Sequence, residues 1–197
     1  MDYQRFKAEG AIAVIEEKVK EAGGKTRPDT IEERAERLKR LRIAEKEREA
    51  FLQSHEAVQA VNQELLNIID KLKKLKPLIE DTSTNLNLVS FERQNPPMYE
   101  FGFRGYFLCF NNSTPFDFDI NNVKLRVSLY EKKGHQHIDY KENIHKQEIL
   151  KFDRDLIGNN GWSNYKTGNN FRTTNELIDK WVKNFIDEIG KIRKNHS

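Results

Sequence analysis

The most regular hydrophobic pattern in the chain is Val58, Val61, Leu65, Ile68, Leu72, Leu75 and Ile79. The steps alternate three and four, which makes a heptad seam of about three repeats. Such spacing predicts a helix that buries a narrow stripe. Two hosts are open: a helix of a second copy or partner protein, or the chain's own fold. Ile69 and Leu66 widen one edge of the stripe, and that width also suits a helix lying on a sheet.

Weaker helical patterns precede the seam. Phe6, Ile12, Ile15 and Val19 place a short amphipathic helix over Tyr3 to Ala22, ended by Gly23-Gly24. Thr30 with Glu33 has the spacing of a capping box, so a second helix is expected from Ile31 to Ala50. That helix is dense in interspersed acids and bases and poor in apolar residues. It reads as a solvated arm stiffened by i,i+4 pairs such as Glu36–Arg40. Pro77 kinks the seam helix or marks its last turn, and Asp81 to Asn87 reads as a polar linker.

Period-two alternation takes over after Leu86. Strands are expected at Leu88 to Arg93, at Tyr99 to Phe110 and within Tyr140 to Phe152, most clearly at Ile149 to Phe152. A hairpin is expected from Phe116–Ile120 to Val123–Glu131 across Asn121-Asn122, with Asp119 opposite Lys124 and Asp117 opposite Arg126. Gly158 to Asn170 reads as a turn-rich loop. Thr173 with Glu176 forms a second capping box. The helix it opens carries Leu177, Ile178, Trp181, Val182, Phe185, Ile186, Ile189 and Ile192, a stripe broad enough to cover a sheet. The fold class predicted is α+β. A helical arm with a coiled-coil-like seam occupies 1–81. An antiparallel sheet of four or five strands, with the last helix on one face, occupies 86–197.

Composition refines this in a few places. One-third of the 197 residues are charged and the net charge is only +3, so a polyanionic partner is neither demanded nor excluded. All nine alanines lie between Ala8 and Ala60 and every asparagine from Asn62 onward, as if a helical module had been joined to a separate domain. The Lys/Asn/Ile/Phe-rich second half suits an AT-rich bacterial or phage genome. Cys109 is the only cysteine, so no intrachain disulfide forms, and a cytoplasmic location is expected. Neither a signal-peptide core nor a membrane-length apolar run is present.

Candidate chemistry is sparse. His135 and His137, two apart on an extended segment with Asp139, point the same way and are weak metal candidates. The run resembles the start of the metallo-β-lactamase signature, but Tyr140 stands where its next histidine belongs, and a polar surface loop is the better reading. Arg104, Tyr106, Arg126 and Tyr130, together with Lys124 on the sheet and Trp162 and Tyr165 in the loop, are candidates for a ligand or nucleic-acid face. The expected hairpin acids would neutralise Arg126 and Lys124, which argues against that face. Trp162 has a second option, tucked beneath the last helix. Cys109, on an apolar strand with no basic neighbour in sequence, reads as a buried inert thiol.

These features predict a non-enzymatic interaction or adaptor protein without a cofactor. Its seam of Val58, Val61, Leu65, Ile68, Leu72, Leu75 and Ile79 would form a homodimer or dock a helical partner. A nucleic-acid-binding accessory protein is the alternative, and a metal-dependent enzyme the third reading.

Overall fold

A computed structural model describes residues 30–82, 86–94, 96–112, 120, 123–132 and 144–194. The expected helix at Tyr3 to Ala22 lies outside them. The chain divides into two compact units, Met1–Ala50 and Phe51–Ser197. The seam helix therefore belongs with the sheet.

Helix α1 (Ile31–Leu52), all but its last two residues in the first unit, opens on the expected capping box. The Thr30 backbone N–H donates to Glu33 Oε2 at 2.9 Å, and the Glu33 N–H donates back to Thr30 Oγ1 at 3.2 Å. Arg40 Nε donates to Glu36 Oε1 at 3.2 Å. No residue of α1 is buried, so local pairing and capping, rather than an apolar face, favour this helix.

The second unit is a two-layer α+β fold. Helix α2 (His55–Thr82) starts where Ser54 Oγ accepts the Ala57 N–H, and it runs on past Pro77. Six antiparallel strands follow: β1 (Val89–Arg93), β2 (Met98–Phe103), β3 (Tyr106–Asn112), β4 (Lys124–Glu131), β5 (Ile144–Arg154) and β6 (Asn160–Asn164). They pair in sequence order as a meander. Helix α3 (Thr174–Lys194) closes the fold, and its Thr173 N–H donates to Glu176 Oε2 at 2.8 Å as the capping pattern requires.

Both α2 and α3 pack on one face of the sheet. Val61, Leu65, Ile68, Leu72 and Ile79 are at most 6% exposed, and they share one core with Phe101, Leu108, Val127, Leu129, Phe152, Leu177 and Phe185. Leu75 packs against this core and Val58 is half-buried. The seam thus fills the interior of its own chain. Ile69 is buried while Leu66 is exposed, so the widened edge is covered at Ile69 and open at Leu66. The Phe185 ring meets Phe101 edge-on at 5.0 Å. Lys71 Nζ donates to Asn175 at 2.8 Å and ties the two helices at their polar rim.

Three expectations about the sheet are corrected. Tyr99 to Phe110 is two strands, not one. Arg104 (φ 47°) and Gly105 (φ 87°) form a two-residue turn, with Phe103 opposite Tyr106. The turn inverts the parity of the following residues, so Leu108 and Phe110 join Phe101 on the helix side, while Phe107 and Cys109 join Met98 and Glu100 on the far side. The second correction concerns the hairpin. Leu125 lies between Asn112 and Leu150, and Arg126 between Asn111 and Ile149. Both edges of β4 are taken there by β3 and β5; the expected partners Asp117, Phe118 and Asp119 lie outside the described residues. The alternation within Val123–Glu131 holds: Leu125, Val127 and Leu129 enter the core. Third, the Gly158–Asn170 segment contains β6, which raises the count to six strands. Burial of Trp162 and Ser163 anchors it, and Trp162 forms a further bridge with Arg172 on its outer side.

Two carboxylates on the helix side lock the layers together. Glu148 on β5 accepts from Arg172 Nη1 at 2.9 Å and from Lys180 Nζ at 2.8 Å. Burial alone would raise its carboxyl, but the two cationic donors outweigh burial and hold it below the usual range. Glu80 near the end of α2 accepts the Leu88 N–H at 2.7 Å; that bond, then Lys76, holds its carboxyl down despite some desolvation. A carboxyl lowered in the folded state adds stability above its unfolded pKa, and that stability is lost as pH falls through the folded value. Stability is therefore expected to decline below about pH 4.3, the ordinary glutamate value. Glu80→Gln with Glu148→Gln is expected to flatten that acid limb in a pH series of denaturant titrations.

Candidate functional site

The face of the sheet away from the helices carries the polar chemistry. Across its middle run Phe91, Glu100, Cys109, Ser128 and Gln147, each opposite the next on consecutive strands. Glu100 is only 5% exposed. Its carboxylate accepts from the Tyr130 hydroxyl and, at 2.8 Å, from Lys132 Nζ. The Lys132 ammonium also sits 4.1 Å from the centre of the Phe107 ring. Met98, Phe107, Cys109 and Tyr130 pack around this group as a second small core. Burial, with the Glu100 carboxylate second, pushes the Cys109 thiol up to about 12, so the thiol stays protonated at neutral pH. Tyr130 and Lys132 are both engaged by Glu100. The arrangement behaves as a closed, satisfied polar network rather than as an exposed acid–base pair.

One end of this face is basic. Arg126 lies half-buried between Asn111 and Ile149, and Lys124 is paired directly with Lys151. Lys124 Nζ lies 4.4 Å from the Tyr165 ring centre. Arg93 on β1 donates to Asn111 Oδ1 at 3.3 Å and to the Pro96 carbonyl at 3.2 Å.

The six residues expected to form a ligand face separate. Arg126, Tyr130 and Tyr165 belong to this far side. Arg104 sits in the β2–β3 turn with its guanidinium 5.3 Å from the Phe103 ring. Tyr106 points to the helix side and stacks on His145 at 5.1 Å. Trp162 is wholly buried, and its Nε1 donates to Thr174 Oγ1 at 3.0 Å; Thr174 in turn donates to Glu64 of α2. Trp162 thus takes the tucked position beneath the last helix. His135 and His137 lie outside the described residues. Among those described, no three His, Cys, Asp or Glu side chains gather as metal ligands, and no helix is long and apolar enough to cross a membrane.

Sequence reasoning missed Glu100, Lys132, Arg93 and Lys151. The available signal was Glu100 itself, an acid amid Tyr99, Phe101 and Phe103, which needs a buried partner.

The sheet edge is the other exposed feature. All five residues of β1 are exposed, including Val89 at 59% and Phe91 at 53%. Among the described residues, β1 pairs only with β2. No protein-family model, characterised protein or solved structure matches the chain.

Proposed function

We propose that this protein is a non-enzymatic interaction protein that self-associates along β1. The observation that carries this reading is a fully exposed edge strand bearing two large apolar side chains. Such an edge offers unpaired backbone groups to another strand. The seam helix is occupied within its own core, and this shifts the docking role to the edge. Helix α1 is a poorer candidate: Ile31, Leu38 and Ile43 are its exposed apolar residues, and steps of seven and five do not keep all three on one face.

A second copy suits the edge because its sequence is self-complementary. Antiparallel pairing centred on Phe91 sets Phe91 against its own copy, Ser90 against Glu92, and Val89 against Arg93. No like charges meet, and the two aromatic rings cover each other. The contact is isologous and closes as a dimer. A five-residue edge is smaller than a standard interface, so association is expected to be weak, on the order of 10 µM. Sedimentation equilibrium tests this. The wild type is expected to dimerise in that range. Phe91→Asp places two carboxylates opposite each other and is expected to leave a folded monomer. A wild type that stays monomeric well above that concentration would contradict the reading.

A further inference from the structure

We infer that Lys73 on α2 is a specificity-determining residue of the β1 contact, where it neutralises Glu92 and so admits a second copy of the strand. The inference rests on the self-association proposed above. The two faces of β1 differ in character. Phe91, opposite Glu100, lies on the far side with Val89 and Arg93. Glu92, opposite Tyr99, lies on the helix side with Ser90. Lys73 reaches Glu92 from α2, with Nζ 2.9 Å from Oε1 and 2.8 Å from Oε2. One ammonium thus covers both carboxylate oxygens. Among the described residues, no other cation bonds Glu92. Asp70 also faces Lys73, but the bond to Glu92 is the main cause that raises Lys73 above the usual lysine value. Lys73 therefore stays charged at neutral pH.

Edge strands are commonly guarded against pairing by a charged side chain. Glu92 would be such a guard here. In the pairing centred on Phe91, Glu92 lies opposite Ser90 of the second copy. The two Glu92 residues are then diagonal neighbours on the helix side, about 7–8 Å apart. Bare carboxylates at that spacing repel. Each Lys73 cancels one of them, which leaves the apolar contact of Phe91 on the far side unopposed. Arg93 cannot do this, because it lies on the opposite face of the strand from Glu92.

Sedimentation equilibrium of the full chain at low and high salt tests the assignment. Lys73→Gln is expected to weaken dimerisation about three- to tenfold at low salt, the effect of one pair of bare carboxylates at that spacing. The loss is expected to shrink at high salt, where the repulsion is screened. Lys74→Gln removes the same charge from an exposed neighbour on α2 and is expected to leave dimerisation unchanged. Adding Glu92→Gln to Lys73→Gln is expected to restore it, since no carboxylate remains to be neutralised. Equal affinity of Lys73→Gln and the wild type, an equal loss in Lys74→Gln, or a double variant as weak as Lys73→Gln would each overturn the assignment while leaving the β1 contact standing. A wild type that stays monomeric would end both readings, so the wild type alone tells the two failures apart.

Discussion

Leu72→Ala is expected to destabilise the second unit by about 2–5 kcal/mol, the cost of emptying a fully buried leucine site. Leu72 has no exposed surface and lies in the core shared by the sheet and α3. Against a typical total of about 5–15 kcal/mol, that loss is large, and Leu72→Asp, which adds an unpaired buried charge, is expected to abolish folding. Leu66→Ala on the same helix is the control. Leu66 is 53% exposed, and its loss is expected to stay within about 0.5 kcal/mol. Urea denaturation at several protein concentrations separates the two roles of the seam. A seam inside its own chain gives a Leu72→Ala loss independent of concentration, whereas a seam between helices of two copies gives one that grows on dilution.

The second large effect is expected at Glu100. Glu100→Ala strips the acceptor from the buried Tyr130 hydroxyl and from Lys132 together. Breaking a buried pair from one side typically costs about 3–5 kcal/mol, because the abandoned partner stays desolvated. Replacing all three members with apolar residues of similar shape (Glu100→Leu, Tyr130→Phe and Lys132→Met) is expected to recover most of that loss. Denaturant titration of the single and triple variants checks the account. A triple variant as unstable as Glu100→Ala would show that the network does more than satisfy its own buried groups.

The contrast between seam and sheet shows what the sequence made legible. Local signals were sufficient where the deciding contacts were local. Both capping patterns, Thr30 with Glu33 and Thr173 with Glu176, formed with the expected bonds, and of the broad stripe from Leu177 to Ile189 all but Ile186, which is 45% exposed, was buried in the shared core. The seam's three–four spacing could not name its host. Alternating steps serve a partner helix and a sheet flanked by a second helix equally well, and what distinguishes them is the burial of the seam in one core with Phe101, Val127 and Phe185.

The far face was hidden by one turn. Arg104 takes a positive φ, which a non-glycine residue rarely does. An Arg-Gly pair inside an unbroken alternation gives little warning of a hairpin, and a single strand read through it places Phe107 and Cys109 on the same side as Phe101, whereas the turn puts them on the opposite one. Strand β6 was illegible for a different reason. Asn160 to Asn164 has the composition of a loop, and it is held by Trp162 in the core and by hairpin pairing with the adjacent β5, neither of which that composition announces.

Disulfide trapping at β1 tests the central claim most directly. Phe91→Cys introduces a thiol at the proposed two-fold axis, where antiparallel partners come within the reach of a disulfide. Cys109 needs no replacement, since it is buried and protonated at neutral pH. Under mild oxidation, Phe91→Cys is expected to form a covalent dimer efficiently, whereas Ser90→Cys and Glu92→Cys, each opposite a different residue in that register, are expected to remain largely uncrosslinked. A Phe91→Cys protein that stays monomeric at concentrations well above the expected dissociation constant, or that crosslinks no better than the two flanking variants, would contradict self-association along this edge.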